Sequence, residues 1–219
     1  CVLLLFRPAA QESYVRIRIP EGYKIGNTYS ILVFGLKAED FEYAYQMDGP
    51  ADQARGLLFN RKHTLLDPYA KAVTGQRNWG EKPEGGKDFV YKARVVQSDF
   101  DWGRYRNLNY KFEDLVIYEM HVRGFTKDAS SGVKGGGTFE GLRQKIPYLK
   151  DLGINAVELM PIFEFDEMES ARVVDGVQLY NYWGYNTVSF FAPNTSYAFH
   201  QEHNHEGDEL KRLIRELKE

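Results

Sequence analysis

The chain has 219 residues, with 28 Lys+Arg against 31 Asp+Glu and a formal net charge of −3. That near-balance argues against a dedicated nucleic-acid binder, which carries a basic surplus. One cysteine excludes an internal disulfide framework, and 43% hydrophobic with 27% charged residues is a globular composition.

No run approaches the ~20 apolar residues of a membrane span, so no membrane partner is expected. Val2–Phe6 is too short for a signal-peptide core and has no basic segment before it. The lack of disulfide chemistry points to the cytoplasm. Aromatics reach 15%, and the chain begins at Cys1 rather than Met.

The first hundred residues read as β-structure. Tyr14–Ile19 alternates polar and apolar residues and closes at Pro20 and Gly22. Thr28–Phe34 is β-branched and aromatic, bounded by Gly26-Asn27 and Gly35. Phe41–Met47 alternates, with large residues 41, 43, 45 and 47 on one face, and Asp48-Gly49-Pro50 makes a turn. Phe89–Val96 is a further strand candidate. Short strands between turn residues predict an antiparallel sandwich over residues 1–105.

From residue 106 the pattern changes. Leu115–Val122 is a nearly continuous apolar run, suited to a parallel strand buried on both faces. A Gly-rich loop leads to Phe139, Leu142, Ile146, Leu149 and Leu152 at helical spacing, with Thr138 as N-cap. Pro147 is expected to divide this helix in two, and Gly153 to stop it. Ile154–Met160 reads as a second buried strand ended by Pro161. A long loop follows, then an amphipathic helix from Asp208 to Glu219, so residues 106–219 read β–α–β–loop–α.

Four stretches invite a chemical reading. Lys134-Gly-Gly-Gly-Thr138 precedes a helix, but its spacing fits neither phosphate-binding fingerprint, so it reads as a loop. His200, His203 and His205 lie close together without an H-E-x-x-H frame, and no metal is assigned. Glu164, Asp166, Glu167 and Glu169 crowd the loop after the second strand, where loop solvation, hydrogen bonding to a substrate and catalysis are all open. Tyr180-Asn-Tyr-Trp-Gly-Tyr-Asn186 packs four aromatics into seven residues. Such rings serve as core, or they stack on the apolar C–H face of a pyranose whose hydroxyls need partners such as Asn181 and Asn186.

Ile117-Tyr-Glu-Met-His-Val-Arg-Gly-Phe-Thr126 resembles the first barrel strand of isoamylase-type and glycogen-debranching enzymes of the α-amylase superfamily. Gly137–Leu142 with Tyr148–Gly153 is similar to their first barrel helix, and Val157–Pro161 to their second strand. Asn181–Thr187 and Phe191-Ala-Pro193 resemble the segment bordering a sugar subsite. Tyr43–Pro50 and Leu66–Ala72 are similar to the immunoglobulin-like β-sandwich that precedes the barrel. The resemblance runs from about residue 28 onward.

It implies α+β multidomain architecture: a glucan-binding-type β-sandwich over 1–105, then over 106–219 the start of a (β/α)8 barrel as far as its second helix. The implied activity is retaining hydrolysis of α-1,6 branch linkages in glycogen or an amylopectin-like α-glucan, with no cofactor. The implied nucleophile, acid and third carboxylate lie on later strands, beyond Glu219, so no catalytic residue is assigned and the 219 residues alone are expected to be inactive. Tyr185 matches the tyrosine that stacks under the sugar next to the scissile bond. Asn186, Trp183 and Tyr182 fall beside it, and Glu164 matches an acidic position after the second strand. Calcium is not assigned, since Phe165 and Asn194 occupy places where a hard-oxygen site of the family would want other ligands. A full barrel takes ~250 residues, so the chain is expected to be a piece of a longer protein. Two other readings remain open here: a non-catalytic glucan-binding module, and a different hydrolase of the superfamily such as a pullulanase.

Overall fold

Alternating sequence builds a five-stranded antiparallel sheet in the first part of the chain. The computed structural model describes residues 1–8, 14–81, 91–97, 99–104, 108–200 and 205–219. They divide into two units, Cys1–Thr74 with Pro83–Gln97, and Gly75–Lys82 with Ser98–Glu219.

The first unit contains β1 (Val2–Phe6), β2 (Tyr14–Arg18), β3 (Lys24–Ile25), β4 (Thr28–Tyr29), β5 (Glu42–Gln46), β6 (Ala51–Asp52), β7 (Leu57–Leu58), β8 (Ala72–Thr74) and β9 (Lys92–Arg94). Its main sheet has the order β2-β1-β5-β9-β8, and β3-β4 and β6-β7 form separate two-stranded pieces. β1 pairs Leu4 with Arg16 on one side and with Ala44 on the other. Leu4, Phe6 and Ala44 form a small buried cluster. Lys92 and Glu42 are buried beside it with Nζ 3.4 Å from Oε2, and Thr74 donates its hydroxyl hydrogen to Glu42. Burial lowers the Lys92 pKa, and the Glu42 charge opposes that.

One expectation for this unit is corrected, and the alternation of Phe41–Met47 holds. The predicted Thr28–Phe34 strand ends at Tyr29. Its partner β3 is preceded by a 3-10 turn over Glu21–Tyr23, which offers no extended ladder to pair with, and Leu32 and Phe34 are left exposed. In β5 the buried residues are Glu42, Ala44 and Gln46. Tyr43 and Tyr45 are half-buried and line an open groove of 670 Å³ with Leu3, Leu5 and Leu65. The predicted Phe89–Val96 strand lies partly outside the described residues, and β9 is its described portion.

The second unit contains β10 (Ile117–Met120), α1 (Val122–Thr126), α2 (Phe139–Arg143), α3 (Ile146–Asp151), β11 (Ala156–Leu159), β12 (Phe163–Phe165), β13 (Arg172–Val174), β14 (Val177–Leu179), β15 (Thr187–Pro193) and α4 (His205–Leu217). β10 and β11 are parallel, with Ile117 opposite Ala156 and Met120 opposite Leu159. Met120, Val122, Phe139, Leu142, Leu149, Phe165, Tyr197 and Leu213 form the core. The expected burial of β10 on both faces is corrected: Val116, Ile117 and Glu119 are exposed. Each of these two strands has one neighbour among the described residues.

The helix divides as the proline predicts. α2 ends at Arg143, and Pro147 sits in the first turn of α3, where a missing N–H costs nothing. Thr138 caps α2 by accepting from the Gly141 N–H at 3.3 Å. Gly153 leaves the helix at φ 84°, while Ile154 N–H bonds Leu149 O at 3.0 Å. The three glycines before α2 have a packing role: Gly137 N–H donates to Thr126 Oγ1 at 2.8 Å, and a Cβ on Gly136 would meet Thr126 O. α4 places Leu213 in the core and carries buried Glu209, whose carboxylate accepts from Phe199 N–H at 2.8 Å and His200 N–H at 2.7 Å. His203 lies outside the described residues. His200 Nδ1 is 2.8 Å from Glu209, and the described residues contain no group of three metal-ligating side chains.

Candidate functional site

The long loop expected after the second strand contains four strands among the described residues. β12 pairs antiparallel with β15, setting Glu164 opposite Ser189 and Phe165 opposite Thr187. Between them β13 and β14 form a hairpin with Val174 opposite Val177. Its turn residues Asp175 and Gly176 have φ of 50° and 79°, as a tight two-residue hairpin turn requires. Asp-Gly flanked by Val-Val and Val-Gln-Leu is the signal that identifies this hairpin in sequence.

The aromatic stretch 180–186 enters β15. Gly184 has φ 76°, and a Cβ there would collide with the Phe165 ring. Only glycine allows that approach. The neighbouring side chains face solvent: Trp183 is 54% and Tyr185 71% exposed. Tyr182 packs inward, stacked on His121 with centroids 4.2 Å apart and planes 8° from parallel. His121 Nδ1 accepts from Gly124 N–H at 3.1 Å, so the ring proton lies on Nε2, which donates to Tyr182 O at 2.8 Å. Burial lowers the His121 pKa, while the hydrogen bond to the Tyr182 carbonyl opposes it. Asn186 Nδ2 donates to Glu169 Oε2 at 2.6 Å.

A buried polar layer supports this surface. Glu164 is fully buried and accepts from Thr195 N–H at 2.7 Å. Thr195 Oγ1 has one hydrogen and gives it to Gln76 O at 2.9 Å. Glu164 Oε1 is a second, longer acceptor for that hydroxyl, 3.4 Å from Thr195 Oγ1. Desolvation raises the Glu164 pKa well above the carboxylate range. Glu167, also fully buried, accepts from Ser196 Oγ at 2.7 Å, and burial pushes its pKa up to about 7. Gln76 donates to Asp166 Oδ1 at 2.6 Å and accepts from Glu167 N–H at 3.2 Å. Asn181 N–H donates to Glu167 O at 2.9 Å, tying the aromatic stretch to this layer.

Of the residues singled out in sequence, Tyr182, Trp183, Tyr185 and Asn186 share one short stretch, two rings outward and one inward. Glu164 stands apart from them inside the protein, bonded to Thr195. Sequence reading missed Gln76, Trp79 and His121. Trp79 stacks on Tyr197 with planes 7° apart, meets Tyr182 and Phe165 edge-on, and lies 4.8 Å under the Arg123 guanidinium. Nothing local in sequence ties residues 75–82 to a stretch a hundred positions later. Exposed rings flanked by amide and carboxylate groups suit a ligand with both an apolar face and hydroxyls.

No protein-family model matches the chain. It is 44% identical over 179 residues to isoamylase 3, chloroplastic, of Oryza sativa subsp. japonica, covering 80% of this chain and 23% of that protein. It is 37% identical over 205 residues to isoamylase 1, chloroplastic, of Arabidopsis thaliana, covering 90% of this chain and 26% of that one. The glycogen debranching enzyme of Yersinia enterocolitica is 34% identical over 217 residues, covering 91% of this chain and 31% of that enzyme. The chain thus spans about a quarter of the length of the first of these relatives. Among solved structures, the pullulanase of Anoxybacillus sp. LM18-11 complexed with maltotriose shares the fold, with a TM-score of 0.71, 24% identity, and 99% of this chain matched to 29% of that one. Pullulanase type I from Bacillus subtilis complexed with maltose has a TM-score of 0.69 at 24% identity, over 99% of this chain and 28% of that one.

Proposed function

We propose that this chain, a homologue of isoamylases and glycogen debranching enzymes, is the glucan-binding part of a glycoside hydrolase that cleaves α-1,6 branch linkages of a glycogen-type α-glucan. In this reading residues 1–105 form an immunoglobulin-like β-sandwich module and residues 106–219 the start of a (β/α)8 barrel. The retaining chemistry, in which one carboxylate attacks the anomeric carbon and another protonates the leaving oxygen, is supplied by residues outside this chain. The single cysteine suits a reducing compartment such as the cytoplasm, and no described helix is long and apolar enough to cross a membrane.

The observation that carries the reading is Tyr185. It is a large ring left 71% exposed on a stretch whose backbone is held rigidly by Gly184, Tyr182 and Asn181. An exposed ring on a fixed backbone gives a pyranose face a platform that need not be ordered on binding. In this role Tyr185 stacks under the sugar and Asn186 with Glu169 bonds hydroxyls. Trp183 shapes the wall, while Tyr182 and Glu164 fix the floor.

Titration of the 219-residue chain with maltotetraose tests this. Binding is expected, with Tyr185→Ala weakening it about tenfold, the equivalent of about 1.4 kcal/mol. Incubation with glycogen is expected to release no new reducing ends. Unchanged affinity in the variant defeats the assignment of Tyr185, and turnover by the chain alone defeats the placement of its chemistry elsewhere. The open groove along Tyr43 and Tyr45 favours a second reading, a non-catalytic glucan-binding module. Loss of binding in Tyr45→Ala but not in Tyr185→Ala would select it.

A further inference from the structure

We propose that the cavity walled by the β13–β14 hairpin is a second glucan subsite, adjoining the platform at Tyr185 and sharing Asn186 and Glu169 with it, in which Arg172 and Gln178 read the hydroxyls of a further glucose unit. The proposal rests on the glucan reading above and adds to it a subsite and its recognising residues.

The cavity has a volume of 540 Å³, within the usual range for small-ligand sites. Tyr182 and Asn186 belong to its wall, so it borders the platform directly. Leu179 and Tyr180 give it an apolar side, and Glu169, Arg172 and Gln178 a polar one. That mixture matches a pyranose, which has an apolar face and a rim of hydroxyls.

The polar groups keep unused capacity. The Arg172 guanidinium has no hydrogen-bond or ion-pair partner among the described residues, and its planar fork can donate to two adjacent hydroxyls at once. Gln178 uses its amide hydrogens on Arg172 O at 3.2 Å and Leu179 O at 3.0 Å, which holds the side chain still and leaves its carbonyl oxygen to accept. Asn186 and Glu169 are already bonded to one another at 2.6 Å. One guanidinium and one carboxylate leave the lining without net charge, which suits a neutral polyhydroxyl ligand better than a phosphate.

The walls are fixed before any ligand arrives. The Asp175-Gly176 turn sets the register of the hairpin. The Tyr180 ring lies against Gly80, where a Cβ would come within 2.9 Å of it. Asn181 donates its side-chain hydrogen to Asp166 O at 3.2 Å. A preformed wall lowers the ordering cost of binding.

The test compares a short and a longer probe on the 219-residue chain, maltose and maltotetraose, by calorimetric titration. Arg172→Ala and Gln178→Ala are expected to weaken maltotetraose about three- to tenfold while leaving maltose unchanged. Arg172→Lys is expected to recover only part of the loss, because the fork is gone. Both residues are exposed, so the thermal midpoints are expected to stay at the parent value, which separates lost recognition from lost folding. Inorganic phosphate is expected not to compete. Equal weakening of both probes, no weakening of either, or competition by phosphate overturns the proposal. If Tyr185→Ala weakens binding and the hairpin variants do not, the subsite alone falls. If the wild-type chain binds neither probe, the glucan reading falls with it.

Discussion

Glu167 shows how a single buried carboxyl makes the support layer sensitive to pH. Burial raises its pKa from the ordinary 4.5 to about 7, so the folded chain holds the proton more tightly than the unfolded one. The stabilisation is complete below about pH 4.5 and is lost as pH rises through about 7. At about 1.4 kcal/mol for each pH unit, that is about 3 kcal/mol across the interval. Glu164 is raised in the same sense, by desolvation, and adds to the loss. Denaturant melts between pH 4.5 and 8 are expected to show stability falling across this range, with a shallower slope in Glu167→Gln. An identical slope in the variant would remove Glu167 as the source. Neither residue's burial is legible from the sequence, where both stand in an acidic run that reads as a solvated loop. What buries them is Gln76, Asn194, Thr195 and Ser196, hydrogen-bond partners 27 or more positions away.

The elements most legible in sequence are those whose signals are local. Thr138 as cap, Pro147 in a first turn and Gly153 as a stop each act within four residues, and α2 and α3 form where they point. Thr138→Ala is expected to cost about 1 kcal/mol in chemical denaturation, since Gly141 N–H loses its acceptor. Strand burial is less legible because it depends on partners: the apolar run Leu115–Val122 reads as doubly covered, yet β10 has one neighbour among the described residues and leaves Ile117 exposed. The β13–β14 hairpin is the opposite case. Its Asp-Gly turn is a strong local signal, but an acidic and aromatic stretch on either side makes it read as loop. Gly184 answers to both, because its φ of 76° is a local demand and the Phe165 ring against it a distant one. Gly184→Ala is expected to lower stability by about 1–3 kcal/mol and to weaken maltotetraose binding with it. Full binding in a folded variant would show that the turn does not position Tyr185.

Across the whole chain, apolar surface stands open in both units. In the first, Leu3, Leu5, Tyr43 and Tyr45 line a 670 Å³ groove on one face of the main sheet. In the second, Ile146, Leu149, Val157, Leu159 and Ile214 line another of 460 Å³ beside β11. β11 pairs only with β10 among the described residues, so its other edge presents unpaired N–H and C=O groups. A parallel strand with a free edge next to an apolar groove is a template for another strand, and two-stranded pairs have little stability of their own. Grooves of this size bind apolar dyes and draw copies of a chain together. The 219-residue chain is therefore expected to enhance anilinonaphthalene sulfonate fluorescence in its folded state and to show a sedimentation coefficient that rises with concentration. A lysine introduced at the rim of each groove, Leu36→Lys in the first and Ile214→Lys in the second, separates their contributions. If Ile214→Lys suppresses association and Leu36→Lys does not, the open edge of β11 is the adhesive surface. The reverse result assigns it to the sheet face that carries Tyr43 and Tyr45. A chain that stays monomeric and dark to the dye at all concentrations would mean that both grooves close in solution.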